Sequence, residues 1–181
     1  MTKLKRFSIA ILACGITFAA NAAQDTAKTD EPTMTPPKAL ENKVYDSMVG
    51  TWETNSEMGG KKVHNVLKVR WGLNHQFLIV ELKSTGLDNP KIQYEGLGLF
   101  GVDAQGKAKT FWFDSWGADD MSNGVGTFGD NKLDMSYSNA MFKETRNFEI
   151  KGKEMITHAK GTITANGKET PFEQTAVYKK R

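Results

Sequence analysis

Several side chains in the second half of the sequence are candidates for binding a small molecule. Trp112, Asp114 and Trp116 alternate along one predicted strand and therefore share one of its faces. A carboxylate buried between two indole rings costs free energy unless it has a polar partner. Glu144 and Arg146 share a face with large apolar side chains on another strand, which makes Arg146 the expected partner of Asp114 or of Glu144. Such an ion pair in an aromatic cavity would hold a polar ligand through paired hydrogen bonds.

The same residues also fit a purely structural role. Asp114 and Ser115 lie near the predicted end of their strand, where their side chains would make turn hydrogen bonds. In that interpretation Arg146 stabilises Asp114, and no ligand is involved.

Tyr94 is a further candidate for contact with a ligand. Gly96 and Gly98 share the face of Tyr94 and leave space above their strand. Either a ligand or the indole ring of Trp112 or Trp116 would fill that space.

The sequence favours a binding protein over an enzyme. It has no nucleophile elbow, phosphate-binding loop or dinucleotide fingerprint. Asp114 and Glu144 would form a glycosidase-like pair only if they faced each other at roughly 5 to 10 Å. The separated histidines do not form a metal-binding pattern, and no cofactor is expected. Haem held by His158 is the alternative, although alternation does not place this side chain clearly inside.

The chain from Gly50 onward predicts an all-β fold. Short runs of alternating apolar and polar residues are separated by Gly- or Asn-containing turns, such as Gly59-Gly60, Asn123-Gly124 and Asn166-Gly167. Sequential hairpins without long crossovers favour a single up-and-down antiparallel β-barrel of about ten strands over a sandwich. The predicted strands are Gly50–Glu57, Lys61–Trp71, Gln76–Ser84, Ile92–Gly101, Ala108–Trp116, Met121–Phe128, Lys132–Ser138, Phe142–Ile150, Glu154–Thr164 and Thr170–Lys180. Asn123-Gly124 falls inside one of them, so that strand is expected to be bulged or to begin later.

A short amphipathic helix is predicted before the strands, over Lys38–Val49. Leu40, Val44 and Met48 recur at every fourth residue, and the segment follows Pro36-Pro37 and ends at Gly50. Its apolar stripe is expected to close one end of the barrel.

A set of short motifs resembles the bacterial family called domain of unknown function 1579. The motifs are Gly50-Thr51-Trp52, Val69-Arg70-Trp71-Gly72-Leu73, Phe77-Leu78-Ile79, Tyr94-Glu95-Gly96-Leu97-Gly98, Gly101-Val102-Asp103 and Phe111-Trp112-Phe113-Asp114-Ser115-Trp116-Gly117. The resemblance implies a barrel like those of the lipocalins (calycins) and nitrobindins, in which Trp52 would pack across the closed end. It implies a fold and no activity.

The first 22 residues have the composition of a secretory signal peptide. Basic residues precede an uncharged stretch, and Ala20-Asn21-Ala22 matches a cleavage site, so processing after Ala22 is expected. Lipid attachment at Cys14 is the alternative, but the apolar stretch continues beyond that residue. Residues 23–37 are predicted to form a flexible polar linker and residues 38–181 the barrel domain. The expected location is periplasmic or secreted.

Charge and length narrow the class of partner. The chain has 24 basic and 21 acidic residues, and removal of Lys3, Lys5 and Arg6 with the leader makes these numbers equal. A chain with equal charges has no overall basic surface, so nucleic-acid binding is not expected. No apolar stretch reaches the roughly 20 residues that cross a bilayer, so a membrane span is not expected either. The preferred hypothesis is a barrel that binds a small, partly apolar molecule. The alternative is an interaction scaffold with a filled barrel and a contact loop such as Gly117–Asn123, and the oligomeric state stays open.

Overall fold

The computed structural model describes residues 36–181, so the predicted leader and the linker up to residue 35 lie outside the described residues. One α-helix, α1, and ten β-strands follow in chain order, with a short 3-10 turn at Ala118–Asp120 between β5 and β6. The bounds are α1 Lys43–Met48, β1 Gly50–Met58, β2 Lys61–Gly72, β3 Phe77–Gly86, β4 Gln93–Val102, β5 Ala108–Asp114, β6 Ser122–Gly129, β7 Lys132–Ser138, β8 Phe142–Lys151, β9 Glu154–Ala165 and β10 Lys168–Lys180.

The ten strands form a closed antiparallel barrel in which each strand pairs with its neighbours in the sequence. Closure comes from pairing of β1 with β10, where Trp52 lies opposite Lys180 and Glu53 opposite Lys179. The backbone N–H of Arg181 adds a hydrogen bond of 2.9 Å to the carbonyl of Thr51. The predicted all-β, up-and-down barrel is thereby confirmed over the alternative sandwich.

The turns show which glycine-containing dipeptides reverse the chain. Gly59 and Gly60 have φ of 54° and 73°, and Asn166 and Gly167 have φ of 52° and 73°, as a two-residue type I′ hairpin requires. Gly124, in contrast, lies within β6 and pairs with Thr110 and Tyr137. The prediction of turn-forming φ at Asn123-Gly124 is therefore wrong. A Cβ at Gly124 would lie 2.7 Å from the ring of Tyr137, so close packing accounts for this glycine.

The helix is shorter than predicted because its first residues are bound elsewhere. The backbone N–H of Leu40 donates to the carbonyl of His75 at 3.0 Å, which holds that residue outside the helix. Asn42 is the N-cap, and its side chain accepts a hydrogen bond from the N–H of Tyr45. The helix therefore begins at Lys43, and Leu40 packs against the core from an extended segment.

The helix closes one end of the barrel. Tyr45, Met48 and Trp52 have essentially no exposed surface. Trp52 Nε1 donates to the carbonyl of Met48 at 2.7 Å, and the Tyr45 hydroxyl donates to the carbonyl of Gly101 at 3.0 Å. The two bonds satisfy the polar atoms of both rings and tie α1 to β1 and β4.

The interior divides into two halves along the barrel axis. Near α1 the inward side chains are buried in one cluster that includes Leu78, Phe100, Leu133 and Ile150. Toward the opposite end, Asn65, Ser84 and Ser122 are also buried, but many other inward side chains keep part of their surface exposed. We call this region the open half; its members include Thr54, Ser56, Leu82, Tyr94, Trp112, Asp114, Tyr137, Phe142, Glu144, Arg146, Phe172 and Tyr178.

Trp52 at the closed end and the exposed Trp116 should contribute very differently to the stability of the fold. Trp52→Ala should lower the free energy of unfolding by about 3–5 kcal/mol, because it removes a fully buried ring and its hydrogen bond. Trp116→Ala, at an exposed ring, should change it by no more than about 0.5 kcal/mol. Urea unfolding followed by circular dichroism measures both, and equal losses would contradict the assigned role of Trp52.

Candidate ligand-binding site

Four side chains at the adjoining ends of β4 and β5 form a hydrogen-bonded cluster that we call the aromatic cluster: Tyr94, Trp112, Asp114 and Trp116. Trp112 Nε1 donates to the Tyr94 hydroxyl at 3.1 Å. That hydroxyl lies 3.1 Å from Asp114 Oδ2 and donates to it. The rings of Tyr94 and Trp116 meet edge to face, with centroids 5.4 Å apart and planes at 64°. The structure thus brings together four of the predicted site residues.

Two glycines on β4 hold the indole of Trp112 in place. A Cβ at Gly96 would collide with Cζ2 of this ring, and one at Gly98 would lie 2.9 Å from its Cε3. One ring face therefore lies flat against the backbone of β4. The indole of Trp112 fills the space that the sequence left open to either a ligand or a tryptophan, and its other face points into the barrel.

Asp114 is held by its own turn. Its Oδ1 accepts a hydrogen bond of 2.9 Å from the backbone N–H of Trp116, while Ser115 Oγ accepts one of 3.3 Å from the N–H of Glu95. The turn hydrogen bonds expected at the strand end are present, but Asp114 has no contact with Arg146. The predicted Asp114–Arg146 pair is therefore wrong. Trp116 lies beyond the end of β5 and is exposed, so the predicted strand to Trp116 was too long.

Arg146 pairs instead with its neighbour on the same face of β8. Its Nε lies 2.6 Å from Glu144 Oε1, although the angle does not satisfy a hydrogen bond. Burial by itself lowers the pKa of Arg146, but Glu144, Tyr137 and Tyr178 together outweigh it and leave the pKa raised. The guanidinium therefore stays charged, and Glu144 balances that charge.

Two tyrosines accompany this ion pair. Burial raises the pKa of Tyr137, with Arg146 opposing the shift and Glu144 adding to it. Burial also raises the pKa of Tyr178, and Arg146 again opposes it. Both hydroxyls therefore stay protonated well above neutral pH and are available as hydrogen-bond donors.

The ion pair is partly exposed to solvent. Arg146 is deeply enclosed by protein atoms, yet 37% of its side-chain surface is exposed, against 11% for Glu144. Arg146 lies opposite Met135 and Ala159, whose side chains are buried inside the barrel, so we interpret the exposed surface as facing the open half. Because Nε is buried, the accessible part is the rest of the side chain. Arg146 is thus placed to meet a molecule that enters the open half.

The three histidines of the chain do not line this space. His158 lies on the outer wall, where Nδ1 is 2.9 Å from Thr175 Oγ1 and Nε2 is 3.1 Å from a carboxylate oxygen of Glu173. His64 contacts Asn55 on the outside, and His75 stacks on Trp71 beside the closed end. The haem alternative therefore has no inward histidine among the described residues.

An apolar surface on the outer wall was missed by the sequence reasoning. Leu97, Phe111, Phe113 and Val125 are each between 40% and 46% exposed, and Leu97 lies directly opposite Phe113 on the neighbouring strand. We call these four residues the outer apolar patch. Beside it opens a groove of about 420 Å³ lined in part by Phe77, Phe111 and Val125. The signal was present, since alternation forces Phe111 and Phe113 outward once Trp112 points inward.

Because Trp112 packs closely on Gly96 and Gly98, a single methyl group added at Gly96 should lower the stability of the fold. Gly96→Ala should destabilise the fold by about 1–3 kcal/mol and shift the tryptophan emission, because the indole must leave the backbone of β4. Gly129→Ala is the control, since its added methyl would meet only Lys132 Cβ at 3.7 Å. Urea unfolding and fluorescence spectra test both variants. A Gly96→Ala protein with unchanged stability and emission would contradict the packing.

Comparison with known proteins identifies the fold and leaves the activity open. No family model and no curated protein matches the chain. Within residues 36–181, no helix has the length and apolar character needed to cross a bilayer. The crystal structure of Rv2717c from M. tuberculosis is similar, with a TM-score of 0.59 and 11% identity over 77% of this chain and 98% of that chain. At that identity the likeness extends to the fold alone.

Proposed function

We propose that the protein is an exported β-barrel that binds a small, partly apolar molecule in its open half. The observation that carries this proposal is the partial exposure of inward side chains at one end of a barrel whose other end is closely packed. A closed ring of ten strands is wide enough to enclose one small ligand. Exposed inward side chains are what such a binding space requires.

The lining suits a molecule with both apolar and polar parts. Leu82, Phe142 and Phe172 offer apolar surface, and the partly exposed indole of Trp112 adds an aromatic wall. Arg146 supplies the polar contact, because part of its side chain is exposed while Glu144 balances its charge. Ligand pockets combine these features, with mostly apolar walls and a few placed polar groups.

The location rests on the sequence of the leader. The predicted signal peptide over residues 1–22, with cleavage after Ala22, supports a periplasmic or secreted protein.

The motifs described in the sequence analysis support our proposal that the chain is a member of the family called domain of unknown function 1579.

Native mass spectrometry of the processed protein, purified from its own host, tests this function. We expect a reproducible non-covalent adduct on a chain that starts at Ala23. The adduct should be lost in Arg146→Met/Glu144→Gln, a double variant that removes both charges together and so leaves no buried unpaired charge. The matched control is Arg70→Met, which removes an arginine from an exposed pair with Glu81 on the outer wall. Bare protein, or an adduct that survives the double variant, would contradict the proposal.

A second candidate function, a protein-interaction scaffold, is favoured by the outer apolar patch. Monomeric proteins rarely expose several neighbouring large apolar side chains unless the surface meets a partner. The patch lies on β4, β5 and β6. Residues 115–121 join the last two of these strands and include most of the predicted contact loop, whose final residues Ser122 and Asn123 belong to β6. Met121 in that loop is also exposed, which extends the apolar surface.

Photocross-linking in the host tests the scaffold function. A benzophenone amino acid at position 113 should give a discrete cross-linked species, because Phe113 lies within the patch. The same amino acid in place of Val177, an equally exposed apolar residue on β10, should give none. The mass of the product distinguishes a second copy of the chain from another protein. Identical cross-linking at both positions would contradict a specific surface.

A further inference from the structure

We infer that the aromatic cluster binds the positively charged head group of the ligand, an organic ammonium. This inference rests on the proposed function and names the chemical class of the bound molecule. The head group would lie beside the partly exposed indole of Trp112, the ring of Trp116 and the carboxylate of Asp114, with the apolar part reaching into the barrel.

The charges of the site call for a cation. Glu144 already balances Arg146 at 2.6 Å. Asp114, at the mouth of the barrel, forms no ion pair with any basic side chain in residues 36–181; its partners there are a hydroxyl and a backbone N–H. The three charged groups of the site thus sum to one negative charge. A bound cation would neutralise it, whereas a bound anion would compete with Glu144 for Arg146.

The rings of this site are of the types that bind cations. The face of an indole or phenol ring attracts a cation within about 6 Å of its centroid, most strongly for tryptophan. Trp112 has one face against Gly96 and Gly98 and the other toward the barrel. Trp116 is 66% exposed, although burial of such a ring would stabilise the fold. Its edge-to-face contact with Tyr94 leaves most of the ring uncovered, and a bound head group would cover it.

The carboxylate is fixed before any ligand arrives. Asp114 Oδ1 accepts from the N–H of Trp116, and Oδ2 accepts from the hydroxyl of Tyr94. Each carboxylate oxygen can accept a second hydrogen bond, so both retain capacity for an ammonium group. Because the same residues hold the carboxylate and supply the rings, the negative charge and the aromatic walls keep a constant geometry.

Isothermal titration with three amphiphiles of equal chain length tests the inference. The probes are decyltrimethylammonium, decyl maltoside and decanoate, each below its critical micelle concentration, with the processed protein. The cation should bind about tenfold more tightly than the other two. Asp114→Asn should weaken binding of the cation by about tenfold and leave binding of decyl maltoside unchanged. Trp116→Leu, at an exposed position, should weaken the cation alone without affecting folding.

The matched control is Asp130→Asn, which removes an exposed carboxylate from the β6–β7 turn at the α1 end of the barrel and should leave all three affinities unchanged. Equal affinity for the cation and the maltoside would overturn the ammonium site while leaving barrel binding in place. Preference for decanoate would overturn it and point to Arg146 as an anion site. An equal loss for every probe in Asp114→Asn would show a structural role only. Absence of binding by all three probes would overturn both the inference and the proposed function.

Discussion

Closure of the ring between β1 and β10 is the constraint on which the rest of the structure depends. The two terminal strands meet where Trp52 lies opposite Lys180, and this pairing removes the last free edges of the sheet. Once the ring is closed, every second residue of each strand must face one shared interior. The side chains that fill or line this interior therefore come from all parts of the chain, and their character decides what the barrel can do.

The two ends of that interior are built differently. At the α1 end, Tyr45, Met48 and Trp52 fill the ring and leave no exposed surface. At the other end the inward side chains include an ion pair and two protonated tyrosines, Tyr137 and Tyr178. Charged groups are costly to enclose without compensation, so a fold that needed only stability would place apolar residues there. This contrast between a packed end and a polar, partly exposed end is the physical basis for assigning a binding role.

Much of the fold could be predicted from the sequence because alternation and turn chemistry are local. All ten strands were located to within a few residues of their observed bounds, and Gly59-Gly60 and Asn166-Gly167 form the expected turns. The predictions were wrong where contacts between residues distant in sequence determine the local backbone conformation. The helix start depends on the bond between Leu40 and His75, and the extended backbone at Gly124 depends on the ring of Tyr137. Neither contact has a signal in the local sequence.

The candidate side chains lie on inward faces as predicted, and Arg146 pairs with Glu144, one of its two expected partners. Alternation correctly placed Asp114, Glu144 and Arg146 on inward faces, but it gives no position around the ring. Asp114 lies on β5 and Arg146 on β8, with two strands between them. Asp114 therefore bonds to Tyr94 on the neighbouring strand, and Arg146 pairs with Glu144 on its own strand. The fit of Trp112 on two glycines was one of two alternatives that only the strand register could separate.

Cysteine accessibility tests the central claim most directly, since the processed chain is predicted to lose Cys14 and would have no other cysteine. Thr54→Cys and Thr110→Cys place the same thiol on inward faces, the first in the open half and the second at a buried position. We expect a small water-soluble thiol reagent to label position 54 rapidly in the folded protein. It should label position 110 only when the protein unfolds. Equal protection of both thiols in the folded protein would mean that the interior is packed throughout, and would contradict a binding space in the open half.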